Sequence, residues 1–118
     1  MTIDIKNNRI YHFNKEMKME HKPISTSFVE IEVLQDGRLL IIEDYSEYNN
    51  SNKSNLYCLN QNMKIEWFLP YINGNQSSMD NYVGFTSNGN RVFANTFSCF
   101  RVEIDANKGE IIGSTYTK

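Results

Sequence analysis

The chain repeats part of its own sequence, and this duplication limits the possible folds more than any other feature. Residues 56–70 read LYCLNQNMKIEWFLP and residues 10–23 read IYHFNKEMKMEHKP, with matched positions 46 residues apart. A third copy, FRVEIDANKGEIIG at 100–113, aligns at an offset of 45 and has one additional residue in its turn. A recurring unit of this length is typical of architectures in which each unit covers the apolar face of its neighbour.

Each repeated unit is predicted to consist of short β-strands joined by tight turns. Apolar and polar residues alternate over short segments, and pairs such as Asn7-Asn8 and Asp36-Gly37 provide turns between them. The one candidate helix, NKEMKMEHK, is predicted as strand because its repeat partner QNMKIEWFL is strand-like. The other predicted strands are 2–6, 9–13, 28–34, 38–43, 55–60, 64–69, 81–86, 91–97, 100–105 and 110–116.

The strands differ in the faces that they are expected to bury. In FVEIEVL (28–34), Glu30 and Glu32 alternate with valine and isoleucine, which predicts a half-buried strand with its acids facing water. RLLII (38–42) and LYCL (56–59) are apolar on both faces, which predicts strands that are covered on each side. The sequence therefore predicts an all-β fold of about ten short antiparallel strands in stacked sheets.

The 118 residues fit a single β-domain, 1–118, that contains a partial repeat at 2–22 and fuller repeats at 28–70 and 81–116. Closed β-propellers contain at least four blades, which is more than this chain provides. Two arrangements stay open. The sheets form an open stack, as an incomplete propeller or β-sandwich, or several copies of the chain complete a ring.

The order of strand, Asp-Gly turn, RLLII, NLYCLN, two-residue turn and KIEW resembles the blades of quinoprotein-like (PQQ-type) β-propellers. DANKGEII, at 105–112, is similar to the turn between the third and fourth strands of that family. The resemblance implies propeller-blade-like sheets, and it assigns no functional residue to this chain, because the family's cofactor and metal ligands lie outside the blade consensus. Trp67 fits the pattern, whereas His21 and Gly113 replace it in the other copies, which implies that those copies lack the large side chain between blades.

Composition argues against several classes of partner. The net charge is −2, the pI is about 5.6 and the basic residues are scattered, whereas nucleic-acid binding normally requires a clustered basic face. No secretory h-region and no apolar run approaching the roughly 18 residues of a membrane span is present, so we expect a cytoplasmic protein that binds neither nucleic acid nor membrane. Cys58 and Cys99 are then expected to be reduced thiols.

No pattern typical of catalysis is found, so we expect a protein that is not an enzyme and has no cofactor or metal. His12 and His21 have no metal-binding spacing, and each is expected to be an ordinary strand side chain. Cys58 lies inside an apolar strand, Cys99 is expected to be structural, and no G-x-S-x-G or phosphate-binding glycine motif occurs.

Two polar loops, 44–55 and 71–81, hold the candidate binding residues. Acids cluster at the entrance of the first loop, tyrosines lie in or beside both loops, and Tyr, Asn and Ser together are typical of recognition surfaces. The predicted partner-binding residues are Glu43, Asp44, Tyr45, Glu47, Tyr48 and Tyr71. The alternatives left open are a solvated acidic loop and tyrosines that pack at the edge of the core.

These features favour a non-enzymatic protein-binding module of the bacterial cytoplasm, and more narrowly an immunity protein that binds and neutralises a toxin. An acidic loop beside tyrosines is suited to cover a basic surface. Two alternatives belong to other classes: a structural subunit that completes a propeller as a homo-oligomer, and a β-domain that binds a glycan or metal, or acts as an enzyme, through its loops.

Overall fold

The computed structural model describes residues 2–5, 8–14, 17–50, 53–72 and 80–117, and within them every regular element is a β-strand. The prediction of an all-β fold is confirmed, and residues 17–21 of the candidate helix form a strand. Residues 6 and 7 of the first predicted strand and turn, and residues 15 and 16 of NKEMKMEHK, lie outside these ranges. The strands are β1 (Thr2–Ile5), β2 (Ile10–Asn14), β3 (Met17–His21), β4 (Phe28–Val33), β5 (Leu39–Glu43), β6 (Leu56–Leu59), β7 (Ile65–Phe68), β8 (Tyr82–Asn88), β9 (Arg91–Thr96), β10 (Phe100–Asp105) and β11 (Glu110–Tyr116).

The strands form three antiparallel sheets in which neighbours in sequence are neighbours in space. The first sheet has the order β1-β2-β3, the second β4-β5-β6-β7 and the third β11-β10-β9-β8. The three copies of the repeated sequence correspond to the hairpins β2–β3, β6–β7 and β10–β11. The duplicated segments therefore adopt the same local structure, one in each sheet.

The second sheet lies between the other two, and an apolar core fills each interface. One cluster joins the first and second sheets, with Ile10 on one side and Ile41 and Tyr57 on the other. A second cluster joins the second and third sheets, with Ile42 packed near Ala94. Every residue of β5 and β6 is buried, which confirms the prediction that these strands are covered on both faces.

The outer face of the third sheet is polar. Ala94 and Val102 belong to the core, so the alternating residues Phe93 and Glu103 lie on the opposite face. Arg91 pairs with Glu103 through two hydrogen bonds of 2.7 and 2.9 Å, and its guanidinium lies 5.1 Å from the Phe93 ring centroid. These charged groups lie where a further sheet would pack.

The outer face of the first sheet ends the stack in the same way. Ile10 faces the core, so its neighbour Tyr11 points outward, opposite Glu20 in the register. The Lys18 ammonium lies 4.3 Å from the Tyr11 ring centroid, and Arg9 forms a 2.8 Å ion pair with Glu20. Polar outer faces are what terminal units of stacked architectures require.

Repeat-equivalent residues connect each sheet to the next. His21 packs against Phe28 and Tyr57 of the second sheet, with ring centroids 5.7 and 5.5 Å away. Trp67, at the matched position, donates a 3.2 Å hydrogen bond from Nε1 to the carbonyl oxygen of Ala106 in the third sheet. The first copy lacks the large indole, as expected, and the imidazole ring of His21 takes its place in the interface.

The prediction for β4 is wrong in one respect. A β-bulge lies between Phe28 and Glu30, and the valines at positions 29 and 33 are exposed. The carboxylate of Glu30 accepts a 3.3 Å hydrogen bond from the backbone N–H of Phe85, and Glu32 accepts one of 2.9 Å from the Ser87 hydroxyl. Glu30 is exposed, as predicted, and both acids lie on the side of the strand that faces β8 of the third sheet, which supplies these donors.

The contact of Trp67 with the turn before β11 generates a test of the stack. Gly109 has φ of +70°, and a Cβ there would lie 2.4 Å from atoms of the Trp67 ring. Gly89 has a similar φ of +66°, and no atom of the described residues lies within 4 Å of its Cβ position, so it is the matched control. Gly89→Ala should lower the free energy of unfolding by ~1–2 kcal/mol, the cost of a left-handed backbone with a Cβ. Gly109→Ala should lower it by a further ~1–3 kcal/mol because of overpacking.

Urea unfolding followed by fluorescence of Trp67, the single tryptophan, measures both losses. Equal destabilisation by the two substitutions would show that the indole does not pack against this turn.

Candidate partner-binding site

Glu43 ends β5 as a fully buried carboxylate. It accepts hydrogen bonds from the backbone N–H groups of Ile24, Ser25 and Thr26, at 2.6, 2.9 and 3.0 Å, and from the Tyr57 hydroxyl. These bonds attach the segment between the first two sheets to the core. Glu43 was predicted to contact a partner, but its carboxylate is enclosed and satisfied within the chain, so it is not part of an exposed surface.

A histidine extends this buried network. The Nε2 atom of His21 lies 2.8 Å from the Tyr57 hydroxyl oxygen. Because Tyr57 donates its proton to Glu43, Nε2 of His21 carries the hydrogen that is donated to Tyr57. Burial lowers the pKa of His21 although the Glu43 charge opposes this, and burial raises the pKa of Tyr57. The network therefore holds a neutral imidazole, a neutral phenol and an acceptor carboxylate.

Two of the predicted tyrosines are also buried. The hydroxyl of Tyr48 accepts a 3.2 Å hydrogen bond from Asn50, and that of Tyr71 donates one of 3.2 Å to the carbonyl oxygen of Lys53. Burial raises the pKa of Tyr48 to about 12 and also raises that of Tyr71. Both side chains fix the 44–55 loop rather than present a surface, which agrees with the alternative of packing at the core edge. Residues 51–52 and 73–79 of the two polar loops lie outside the described residues.

The remaining predicted residues lie at the surface. Tyr45 and Glu47 are exposed, and Asp44 is half-buried. Asp44 accepts a 2.9 Å hydrogen bond at Oδ1 from the backbone N–H of Ser46, which fixes the direction of the chain as it leaves β5.

Phe97 is the principal surface residue that sequence reasoning missed. Its side chain is 63% exposed in the turn between β9 and β10, and its ring centroid lies 5.0 Å from that of Tyr45, which is 44% exposed. Val29, 49% exposed, lies beside Tyr45 at the same opening. We call Val29, Tyr45 and Phe97 the aromatic patch. The only sequence signal was the FSCF turn itself, where Phe97 was assigned to the end of a strand.

A small pocket of about 240 Å³ opens at the aromatic patch. Its apolar lining comes from β4, β5 and β8 of two different sheets and from Tyr45, which follows β5, and its other two lining residues are acids. The lining residues are Val29, Ile42, Glu43, Asp44, Tyr45, Tyr82 and Val83.

Asn55 fixes the two halves of the aromatic patch relative to each other. Its buried amide donates to the carbonyl oxygens of Glu43 and Tyr82, at 2.6 and 2.7 Å, and accepts from the Tyr82 N–H at 2.8 Å. The end of β5, which leads to Tyr45, is thereby joined to the start of β8. Sequence reasoning missed Asn55, because a polar residue before a strand resembles any loop residue.

Asp80 positions the other side of the patch. Its carboxylate accepts hydrogen bonds from the backbone N–H of Ser98, at 3.0 Å, and from the Ser98 hydroxyl. The N–H of Phe97 donates a 3.0 Å bond to the carbonyl oxygen of Asn81. The turn that carries Phe97 is therefore held at two adjacent residues, and Asp80 adds an acid close to it.

A larger, polar cleft of about 560 Å³ lies between the second and third sheets, near the start of β5. Arg91, one of its two arginines, is paired with Glu103. The other, Arg38, is nearly buried and donates to Asp36 at 2.8 Å, to Glu66 at 3.1 Å and to the carbonyl oxygen of Ala106 at 2.8 Å. Since the guanidinium is committed to these acceptors, it connects the two sheets and is not free to bind an anion.

Two further candidates for chemistry, Cys58 and His12, lie inside the stack. Cys58 is buried, and burial raises the pKa of its thiol to about 12, so the reactive thiolate is not populated near neutral pH. Buried His12 donates from Nδ1 to the carbonyl oxygen of Gln61 at 2.7 Å. Among the described residues no group of three or more His, Cys, Asp or Glu side chains could hold a metal ion.

Comparison of the chain with protein-family models, curated proteins and solved structures finds no match. In the part of the chain that the structure covers, no helix has the length and apolar character needed to cross a membrane. The candidate site is therefore defined by its geometry: an exposed aromatic patch on an anchored loop and turn.

The buried carboxylate of Glu43 can be tested by an isosteric substitution. Glu43→Gln places an amide N–H₂ among four donors, so at least one of them loses its acceptor, and the free energy of unfolding should fall by ~2–3 kcal/mol. Glu47→Gln, the same change at an exposed position of the same loop, should alter it by less than ~0.5 kcal/mol. Urea denaturation at pH 7 compares the two, and similar effects would contradict the structural role of Glu43.

His21 should make stability depend on pH. In the unfolded chain histidine protonates near pH 6.5, whereas the folded state keeps His21 neutral to lower pH because of burial. Between these two pKa values the unfolded chain binds more protons, so stability is lost as the pH falls through that window. As the pH is lowered from 8 to 5, the urea midpoint should fall less steeply for His21→Gln than for the unchanged chain, and the glutamine amide can still donate to Tyr57. Parallel profiles would overturn this assignment.

Proposed function

We propose that this chain is a non-enzymatic protein-binding module, and that it acts in the bacterial cytoplasm as an immunity protein that binds and neutralises a toxin. The observation that carries the proposal is the exposed pair Tyr45–Phe97, with ring centroids 5.0 Å apart, beside the exposed Val29. Large aromatic side chains surrounded by polar residues dominate the energetics of protein interfaces, and tyrosine loses little conformational entropy on binding.

The rigidity of the site supports binding over a merely solvated loop. Tyr45 lies two residues after the enclosed Glu43, and the loop behind it is attached through Tyr71 and Asn55. Phe97 is held through the neighbouring bonds of Asp80. A surface that is fixed before binding avoids part of the entropy cost of association.

The position of the patch also favours a partner that does not extend the stack of sheets. The two outer sheet faces carry ion pairs, Arg9 with Glu20 and Arg91 with Glu103, whereas the aromatic patch lies at the side where the second and third sheets meet. A standard interface buries about 800 Å² of each partner, which is roughly a tenth of this chain's solvent-accessible surface of 7047 Å².

One observation favours the second candidate, a structural subunit that assembles with copies of itself. β11 is the edge of the third sheet, and its side chains of Ile112 and Tyr116 are more than half exposed. Exposed edge strands are templates for pairing with another chain. Light scattering distinguishes the two functions, since the first predicts a monomer and the second a stable homo-oligomer.

The decisive experiment uses the full chain and secreted toxins encoded beside its gene. We expect a monomer that binds one such toxin and abolishes its toxicity in co-expression. Phe97→Ala should weaken the binding by about 30-fold or more, the effect of truncating a hot spot worth ~2 kcal/mol. Ile112→Ala, a similarly exposed apolar residue of the edge strand that lines the cleft at the other end of the sheets, should leave binding unchanged. A homo-oligomer without a tight toxin partner, or equal effects of the two variants, would contradict the proposal.

A further inference from the structure

We infer that the aromatic patch recognises a protein segment in which a large aliphatic side chain is followed by arginine: the aliphatic group enters the pocket and the guanidinium lies against the Tyr45–Phe97 pair beside Asp44. This inference rests on the proposed protein-binding function and names the chemistry of the segment that is bound.

The dimensions of the pocket favour a single side chain. Its volume of about 240 Å³ is below the roughly 300–1,000 Å³ of pockets that hold small-molecule ligands and cofactors. Five of its seven lining residues are apolar, Val29, Ile42, Tyr45, Tyr82 and Val83. A large aliphatic group therefore gains burial in this pocket without leaving a polar atom unpaired.

The charges at the pocket select the neighbouring residue. Both polar lining residues are acids, and the carboxylate of Glu43 is already satisfied by internal donors. Asp44 accepts a bond at Oδ1, and within the described residues Oδ2 accepts none, which leaves an acceptor at the rim. Asp80, bonded to the turn that carries Phe97, adds negative charge on the other side of the patch. A cationic segment is attracted to this rim and an acidic one is repelled.

The aromatic pair favours arginine over lysine. The Tyr45 and Phe97 rings are tilted by 39° and are both exposed, so a planar group can lie against a ring face while it reaches the acids. Guanidinium is planar and weakly hydrated and stacks on aromatic rings, whereas ammonium is a compact, strongly hydrated charge. The same guanidinium can donate to the Asp44 carboxylate.

The test is an NMR titration of the ¹⁵N-labelled full chain with three capped tetrapeptides of sequence Ala-Leu-Arg-Ala, Ala-Leu-Lys-Ala and Ala-Leu-Glu-Ala. The arginine peptide should shift the amide signals of Val29, Tyr45, Val83 and Phe97, with a millimolar Kd. Binding should be about threefold weaker for the lysine peptide and more than tenfold weaker for the glutamate peptide. Equal affinities, or shifts that map elsewhere, would overturn the inference.

Two variants separate the contributions of charge and pocket. Asp44→Asn should remove most of the preference for arginine over glutamate and leave the shift pattern in place. Val29→Phe, at an exposed edge position that tolerates a larger side chain, should fill the pocket and abolish binding of all three peptides. Thermal melts confirm folding of both variants. Peptide binding that survives Val29→Phe, or patch signals that shift with protein concentration alone and so identify a second copy as the occupant, would overturn the inference.

The outcomes also separate this inference from the proposed function. Toxin binding that depends on Phe97 but is unaffected by Asp44→Asn and Val29→Phe would refute the recognised sequence while the immunity function stands. Selective peptide binding by a chain that protects against no toxin would refute the immunity function while the chemistry of the patch stands.

Discussion

The burial of both faces of the second sheet is the constraint on which the rest of the structure depends. β5 and β6 expose no residue, and their side chains toward either neighbour are almost entirely aliphatic or aromatic. Such strands require cover on two sides, because one exposed face would leave a broad apolar surface in water. The first and third sheets supply that cover, and their own outer faces then carry charges, so the stack ends after three layers.

This constraint explains which parts of the fold could be predicted from the sequence. Apolar strands, turn residues and an internal duplication can all be read directly from the sequence. They predicted the all-β class, the strands and the burial of LYCL on both faces. Tyr11 and Tyr57 show the limit of the duplication. They face the same direction in the stack, but Tyr57 meets the first sheet and is fully buried, whereas Tyr11 lies on an outer face.

The candidate site was harder to predict because its chemistry depends on distant residues. An acid at the end of a strand, followed by a polar loop, has the local pattern of a solvated residue, yet Glu43 is enclosed by N–H groups of residues 24–26, some 18 positions earlier. The bulge in β4 that exposes Val29 is likewise invisible in its alternating sequence. Phe97 could not be associated with Tyr45, since the two lie in different sheets and meet only in the folded stack.

The aromatic patch is therefore a product of sheet packing rather than of one loop. Tyr45 extends from the second sheet and Phe97 from the third, and Asn55 fixes the distance between the strands that carry them. Either residue alone would be an ordinary exposed aromatic, without a partner ring or a pocket beside it. Because the patch exists only while the second and third sheets are packed, any partner that binds it also stabilises their interface, and the stability of the stack and the affinity for the partner are thermodynamically linked.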